Sequence, residues 1–143
     1  MVYVDALYGV RPRKKLSGGV MKIYLAGQLS AAARLESVAV TLRGVGHEVV
    51  SRWHARPDCV DAAGVNLVMA REDLEDLGRA DMLLLEVPSG CTRARGGCWV
   101  EFGWALGRRL SISIIGPHRN VFTYLPEIAR YDCWAECMDV LVR

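Results

Sequence analysis

No stretch of the 143-residue sequence approaches the roughly 18 consecutive apolar residues that a membrane-crossing helix needs. The first residues also lack the unbroken apolar core of a signal peptide. The formal net charge is only +2, which argues against a nucleic-acid polymer or an anionic membrane as partner. There is no CxxC pair. The cysteines (Cys59, Cys91, Cys98, Cys133 and Cys137) are odd in number and miss the paired short spacings of structural zinc. Cys133 and Cys137, one helical turn apart, read as a small buried apolar face. The chain therefore reads as reduced and cytoplasmic. The loop "AGQLS" holds a single glycine, GxGxxG is absent, and so is the lysine signature of a P-loop. These absences argue against nicotinamide redox chemistry and ATP hydrolysis, and neither cofactor nor metal is expected. No internal repeat or low-complexity tract is found.

What is present is ordinary for a globular chain: 52% apolar residues and 24% charged. The length suits one domain with a real core. Charge is uneven, since residues 1–20 carry Arg11, Arg13, Lys14 and Lys15 against Asp5, a net +3, which leaves −1 for the rest. Residues 1–20 read as a leader, with Met21 as an alternative start, and residues 21–143 as the domain.

From Met21 strands and helices alternate. "KIYLAG" is a β-rich run. The next stretch, from about Leu29 to Val45, repeats Leu35, Val38 and Leu42 at helical spacing. "HEVVSRW" reads as a second strand, with Pro57 breaking the chain after it. A helix over about Val60–Arg79 shows Ala63, Leu67, Ala70, Leu74 and Leu77 as one apolar stripe, with acids opposite. "DMLLLEV" is a near-continuous apolar run, the pattern of a parallel strand covered on both faces. "CWVEFGWALGRR" is a helix and "SISIIG" a fourth strand. A short helix near Val121–Leu125, a weak strand near Ile128–Tyr131 and a last helix from Cys133 follow. The order predicts an α/β fold: a single-domain, three-layer sandwich with a doubly wound parallel sheet of about five strands, flavodoxin- or Rossmann-like.

Function in such sheets gathers at the carboxyl ends of the strands. In "GGCWVEFGWALG" Glu101 is the single charge, set about one turn into a helix that follows such an end. The helix N-terminus favours an ionised carboxylate. Gly97, Cys98 and Ala105 share its face and are small, which leaves room for a ligand. The bland alternative is that Glu101 caps its own helix or pairs with Arg108 or Arg109. His54 and His118 lie in loops at the same edge, with no partner at metal or triad spacing.

"KIYLAG", "EDLEDLGRADMLLLEV" before a glycine loop, and "GGCWVEFGWALGRRLSISIIG" after it resemble the nucleoside 2-deoxyribosyltransferase family, over nearly all of residues 21–116. The resemblance implies that Glu101, before "x-G-x-A", is the nucleophile, that Asp73 contacts the base and assists proton transfer, and that Tyr24 orients Glu101. Gly27, Gln28, Trp53, Arg95, Gly96 and Gly97 are the candidate substrate contacts, with Trp53 stacking on a base. A carboxylate can attack C1′, hold the sugar as an ester and release it to a second acceptor, as in retaining glycosidases. Each residue also has a structural reading. Tyr24 could be a core tyrosine, Asp73 part of a solvated acidic face with Glu72, Glu75 and Asp76, and Trp53 simple packing.

One departure stands out. Many family members carry an acid six positions before the nucleophile, where this chain has Arg95, with Arg93 nearby. An arginine accepts no hydrogen bonds, so that role cannot transfer, but two arginines beside "GG" suit a phosphate. The expected activity is transfer of deoxyribose from a 2′-deoxynucleoside or deoxynucleotide to another nucleobase through a Glu101 ester. The alternatives are a nucleotide N-glycoside hydrolase using the same residues and a non-catalytic nucleotide-binding or sequestering module. The expected partners are a nucleoside or nucleotide, a free nucleobase and, from the resemblance, further copies of the chain in a homodimer or higher homo-oligomer.

Overall fold

The computed structural model describes residues 19–56, 63–87 and 96–143. The leader (except for its last two residues), the Pro57 break, Arg93 and Arg95 lie outside the described residues. Five strands form one all-parallel sheet: β1 Lys22–Ala26, β2 Glu48–Val49, β3 Met82–Glu86, β4 Ser111–Ile115 and β5 Ala129–Tyr131. Their spatial order is β2-β1-β3-β4-β5. Four helices cover it: α1 Ala32–Gly44, α2 Ala63–Arg79, α3 Gly97–Gly107 and α4 Trp134–Leu141. The result is the expected three-layer α/β sandwich, in the flavodoxin-like order.

The central strands are apolar on both sides because both sides are covered. Ile23, Tyr24, Leu25 and Ala26 are all buried, as are Met82 to Leu85. In register, Tyr24 lies beside Leu83 and Leu25 beside Leu84. Helices α2 and α3 pack against each other and against β1 on one face. On the other face Glu86, at the end of β3, ties two helices together. Arg34 of α1 donates to its carboxylate through Nε at 2.9 Å and again through its terminal nitrogen, and the Trp134 indole of α4 donates at 2.6 Å.

Two positions show where backbone geometry decides the residue. A Cβ on Gly27, just past β1, would sit 2.9 Å from Leu35 Cδ1, so α1 packs directly on that backbone. Arg109, at the C-terminal turn of α3, adopts φ 57°, while Leu110 N–H donates back to Ala105 O at 3.0 Å. That closure ordinarily takes glycine, and here an arginine carries the strain.

The strand β2 is shorter than "HEVVSRW" implies. The backbone ladder ends with Val50 N–H donating to Ile23 O at 2.8 Å. Beyond it two side chains continue the pairing. Ser51 Oγ accepts from Leu25 N–H at 3.0 Å, and Trp53 Nε1 donates to Leu25 O at 2.8 Å. A 3-10 turn over Trp53–Ala55 follows.

The apolar stripe expected for α2 is corrected. Leu67 and Leu74 are 55% and 49% exposed, whereas Asp76 is fully buried beside Leu77. Of the expected stripe Leu77 is buried, and Asp73 and Asp76 share its face, because Arg52 reaches across and satisfies the buried acid. The cysteine pair also divides: Cys137 is buried and Cys133 exposed. Among the described residues no helix is long and apolar enough to cross a membrane.

Candidate active site

The sheet order reverses between β1 and β3, and the crevice beyond their carboxyl ends is where such sheets place ligands. Three elements bring titratable groups toward it. From β1, whose side chains alternate across the sheet, Tyr24 points to the α2–α3 face. From α3, the helix that Gly96 opens in a left-handed conformation (φ 80°), Glu101 reaches back over that strand. From α2, Asp73 comes from the inner stripe, half-buried. Tyr24 Oη donates to Glu101 Oε1 at 2.9 Å, joining residues 77 positions apart. Glu101 Oε2 is buried and, among the described residues, has no hydrogen-bond partner.

Electrostatics follow from that packing. Burial, with the nearby Asp73 charge adding to it, pushes the Glu101 carboxyl up to about 8, although the Tyr24 hydrogen bond pulls the other way. The sequence argument that the helix N-terminus favours an ionised Glu101 is thus outweighed. A helix dipole is worth about 0.3–1 kcal/mol within the first turn. The upward shift from 4.5 corresponds to about 5 kcal/mol against the charged form. Asp73 is pushed up to about 6, first by burial and then by Asp76 and Glu72, while Arg56 and Arg52 oppose. The Tyr24 phenol is raised far above its ordinary range, chiefly by burial, so it remains a donor at every working pH.

Chemically, one oxygen of Glu101 is held by a permanent donor and the other, though buried, is left without a partner among the described residues. Such a carboxylate can act as a nucleophile once it loses its proton. Asp73 can give or take a proton near neutrality. Among the described residues no three His, Cys, Asp or Glu side chains are grouped to hold a metal ion.

The other candidates fall into two groups. Gly27 and Gln28 lie at the carboxyl end of β1, and Gly96 and Gly97 open α3. Trp53 is turned to the core: it is buried, its N–H is committed to Leu25 O, and its ring meets His54 edge-on. The structure gives Trp53 a packing role.

His54 differs from the sequence reading, which gave it no partner. Its Nδ1 stands 2.6 Å from Glu36 Oε2 and its Nε2 2.8 Å from Ser51 Oγ. The Glu36 carboxylate, held below its ordinary range, can only accept, which puts the proton on Nδ1; in the neutral ring Nε2 then accepts from the Ser51 hydroxyl. The order resembles a hydrolase triad, but Ser51 Oγ and both His54 nitrogens are already committed to partners within the chain, so the relay braces the turn after β2. His118 stacks on Tyr124 with ring centroids 3.8 Å apart and pairs with Thr123 Oγ1 at 3.1 Å. Asp76 was missed as a separate residue. Its three-residue spacing from Asp73 was the available signal, since it puts both acids on one helix face.

No protein-family profile and no curated protein sequence matches this chain. A solved structure of the 2-deoxyribosyltransferase from the psychrotolerant bacterium Bacillus psychrosaccharolyticus is similar in fold. It superimposes with a TM-score of 0.61 at 21% identity, covering 84% of this chain and 95% of that one.

Proposed function

We propose that this protein is an enzyme that cleaves the N-glycosidic bond of a 2′-deoxynucleoside or deoxynucleotide and transfers the deoxyribosyl group to another nucleobase. The observation that carries the reading is the Glu101 carboxylate, fixed through Oε1 by Tyr24 while buried Oε2 is left without a partner. A glutamate kept only to stabilise the fold would have both oxygens satisfied, since a buried unpaired acceptor costs about 1–3 kcal/mol.

In this reading Oε2 of ionised Glu101 attacks C1′. As the new C–O bond forms, the C1′–N bond breaks and its electron pair leaves with the base. Asp73, protonated at that moment, delivers a proton to a ring nitrogen of the departing base, directly or through water. Tyr24 keeps the carboxylate in the attacking rotamer. A second base then attacks C1′, its ring-nitrogen proton passes back to Asp73, and Glu101 is released from the ester. The fold likeness to a deoxyribosyltransferase supports the assignment. A homo-oligomer belongs to the same proposal: Leu67 and Leu74 of α2 and Val100 of α3 expose apolar surface on adjacent helices.

The test is incubation with each deoxynucleoside and deoxynucleoside monophosphate, with and without a second free base, followed by chromatographic separation. Glu101→Ala serves as control. A new nucleoside that depends on the added base and on Glu101 is the expected result. Free base with free sugar in place of it would reassign the protein as a hydrolase. Binding without turnover, unchanged in the control, would make it a binding module.

A further inference from the structure

The turn after β2 and the inner face of α2 are joined by a cluster of charges that the transfer chemistry does not itself use. Arg52 donates through its backbone N–H to Asp76 Oδ2 at 3.1 Å and through Nε to both Asp76 oxygens at 3.0 Å. A terminal nitrogen lies 2.8 Å from Asp76 Oδ1 and donates to Glu75 at 3.0 Å. Arg79 approaches Asp76 at 3.8 Å, and Arg56 pairs with Glu72. Asp76 is wholly buried, one helical turn from Asp73 on the same face.

Such a buried acid is unusual. A solvent-facing acid could join Arg52 at the surface without any cost of burial. Placing the carboxylate inside makes its charge felt strongly by its neighbours, because the surroundings screen it weakly. Among the described residues, the groups that bear on Asp73 come from several elements. Glu72 and Asp76 act from its own helix, Arg52 and Arg56 from the turn after β2, Tyr24 from β1 and Glu101 from α3.

We propose that Arg52 and Asp76 are positioning residues for Asp73: the buried Asp76 carboxylate, one helical turn away on the same face, and the guanidinium clamped on it set how readily Asp73 gives its proton and takes it back in one turnover. The proposal rests on Asp73 serving the transfer argued above. The two partners push in opposite senses. Asp76 repels the Asp73 anion and favours its protonated form, whereas Arg52 favours the anion. Burial contributes most to moving Asp73 from its ordinary 3.8 to about 6, and the Asp76 charge adds to it while Arg52 opposes. The fork geometry of arginine matters here: it grips both oxygens of Asp76 and so fixes where that buried charge sits.

The test reads Asp73 directly, by carbon-13 NMR titration of its labelled carboxyl, and separately by the pH dependence of kcat/KM. Asp76→Asn is expected to lower the Asp73 midpoint by about one pH unit. In that background, adding Arg52→Met is expected to raise the midpoint again, and the acid limb of kcat/KM should follow both changes. Removing the two partners together also protects the fold, since neither is left buried and unpaired in charge. A midpoint unchanged in Asp76→Asn overturns the proposal, and so does a loss of stability with no movement of the midpoint in either variant. If the midpoints move as stated but no protein, parent included, transfers sugar, the pair stands and the proposed activity falls.

Discussion

Glu101→Gln keeps the shape of the side chain and removes its charge, so it separates what the carboxylate does for chemistry from what it does to the fold. In the unfolded chain this carboxyl loses its proton near 4.5, and in the folded chain near 8. Between those values the folded state binds one more proton, so raising the pH draws the equilibrium toward unfolding. The penalty is absent below about pH 4.5, grows by up to about 1.4 kcal/mol per pH unit, and is complete above pH 8 at about 5 kcal/mol. Glutamine carries no such penalty, but it places an amide N–H₂ where Oε2 now lies unpartnered, which costs about 1–3 kcal/mol at every pH. The variant should therefore be slightly less stable than the parent at pH 5 and more stable, by about 2–4 kcal/mol, at pH 9. Urea titrations of both proteins from pH 5 to 9 measure the difference. Parallel stability curves would refute the reasoning, because they would mean that burial does not hold the proton on Glu101. Turnover should vanish in the variant throughout.

Three further outcomes are expected. Because Glu101 must be ionised and Asp73 protonated while their values, near 8 and near 6, lie in the reverse order, the working form is a minor species and the kcat/KM profile should be a bell with breaks near 6 and 8; a monotonic rise through pH 9 would contradict it. Tyr24→Phe leaves Oε1 buried without its donor, so kcat should fall about 10- to 100-fold with little change in KM, and the descending limb should move to higher pH. Arg109→Gly relieves the left-handed strain at the end of α3 and should raise stability by about 1 kcal/mol, readable as a higher thermal midpoint with activity unaltered.

The sheet was legible because a two-sided parallel strand must be apolar throughout, and "DMLLLEV" and "SISIIG" say so directly. The rotation of α2 was not. Leu67, Ala70 and Leu74 sit at helical spacing and suggest an inner stripe, yet the helix turns Asp76 inward. A pattern argument treats an acid as outward-facing unless its partner is visible. Here the partner, Arg52, lies 24 residues earlier, in a different element. The same blindness hid the His54 relay and the Leu25 contacts, where side chains of Ser51 and Trp53 do what backbone does elsewhere. The Tyr24–Glu101 pairing came from the resemblance and not from any periodicity. The sign of the electrostatic effect at Glu101 needed burial, which no local motif reveals.

The carboxylate of Glu86 has a consequence for how the chain is made. It holds α1 through Arg34 and α4 through Trp134, so the first and last of the described helices share one anchor. During synthesis β1, α1 and β3 all emerge well before Trp134, and until the tryptophan arrives one contact of Glu86 goes unmade. The nascent chain thus carries all five strands while this closing contact is still missing, the interval in which chaperones and proteases act. Lesions in α4 should accordingly show first as reduced yield in cells, before any effect on the purified protein.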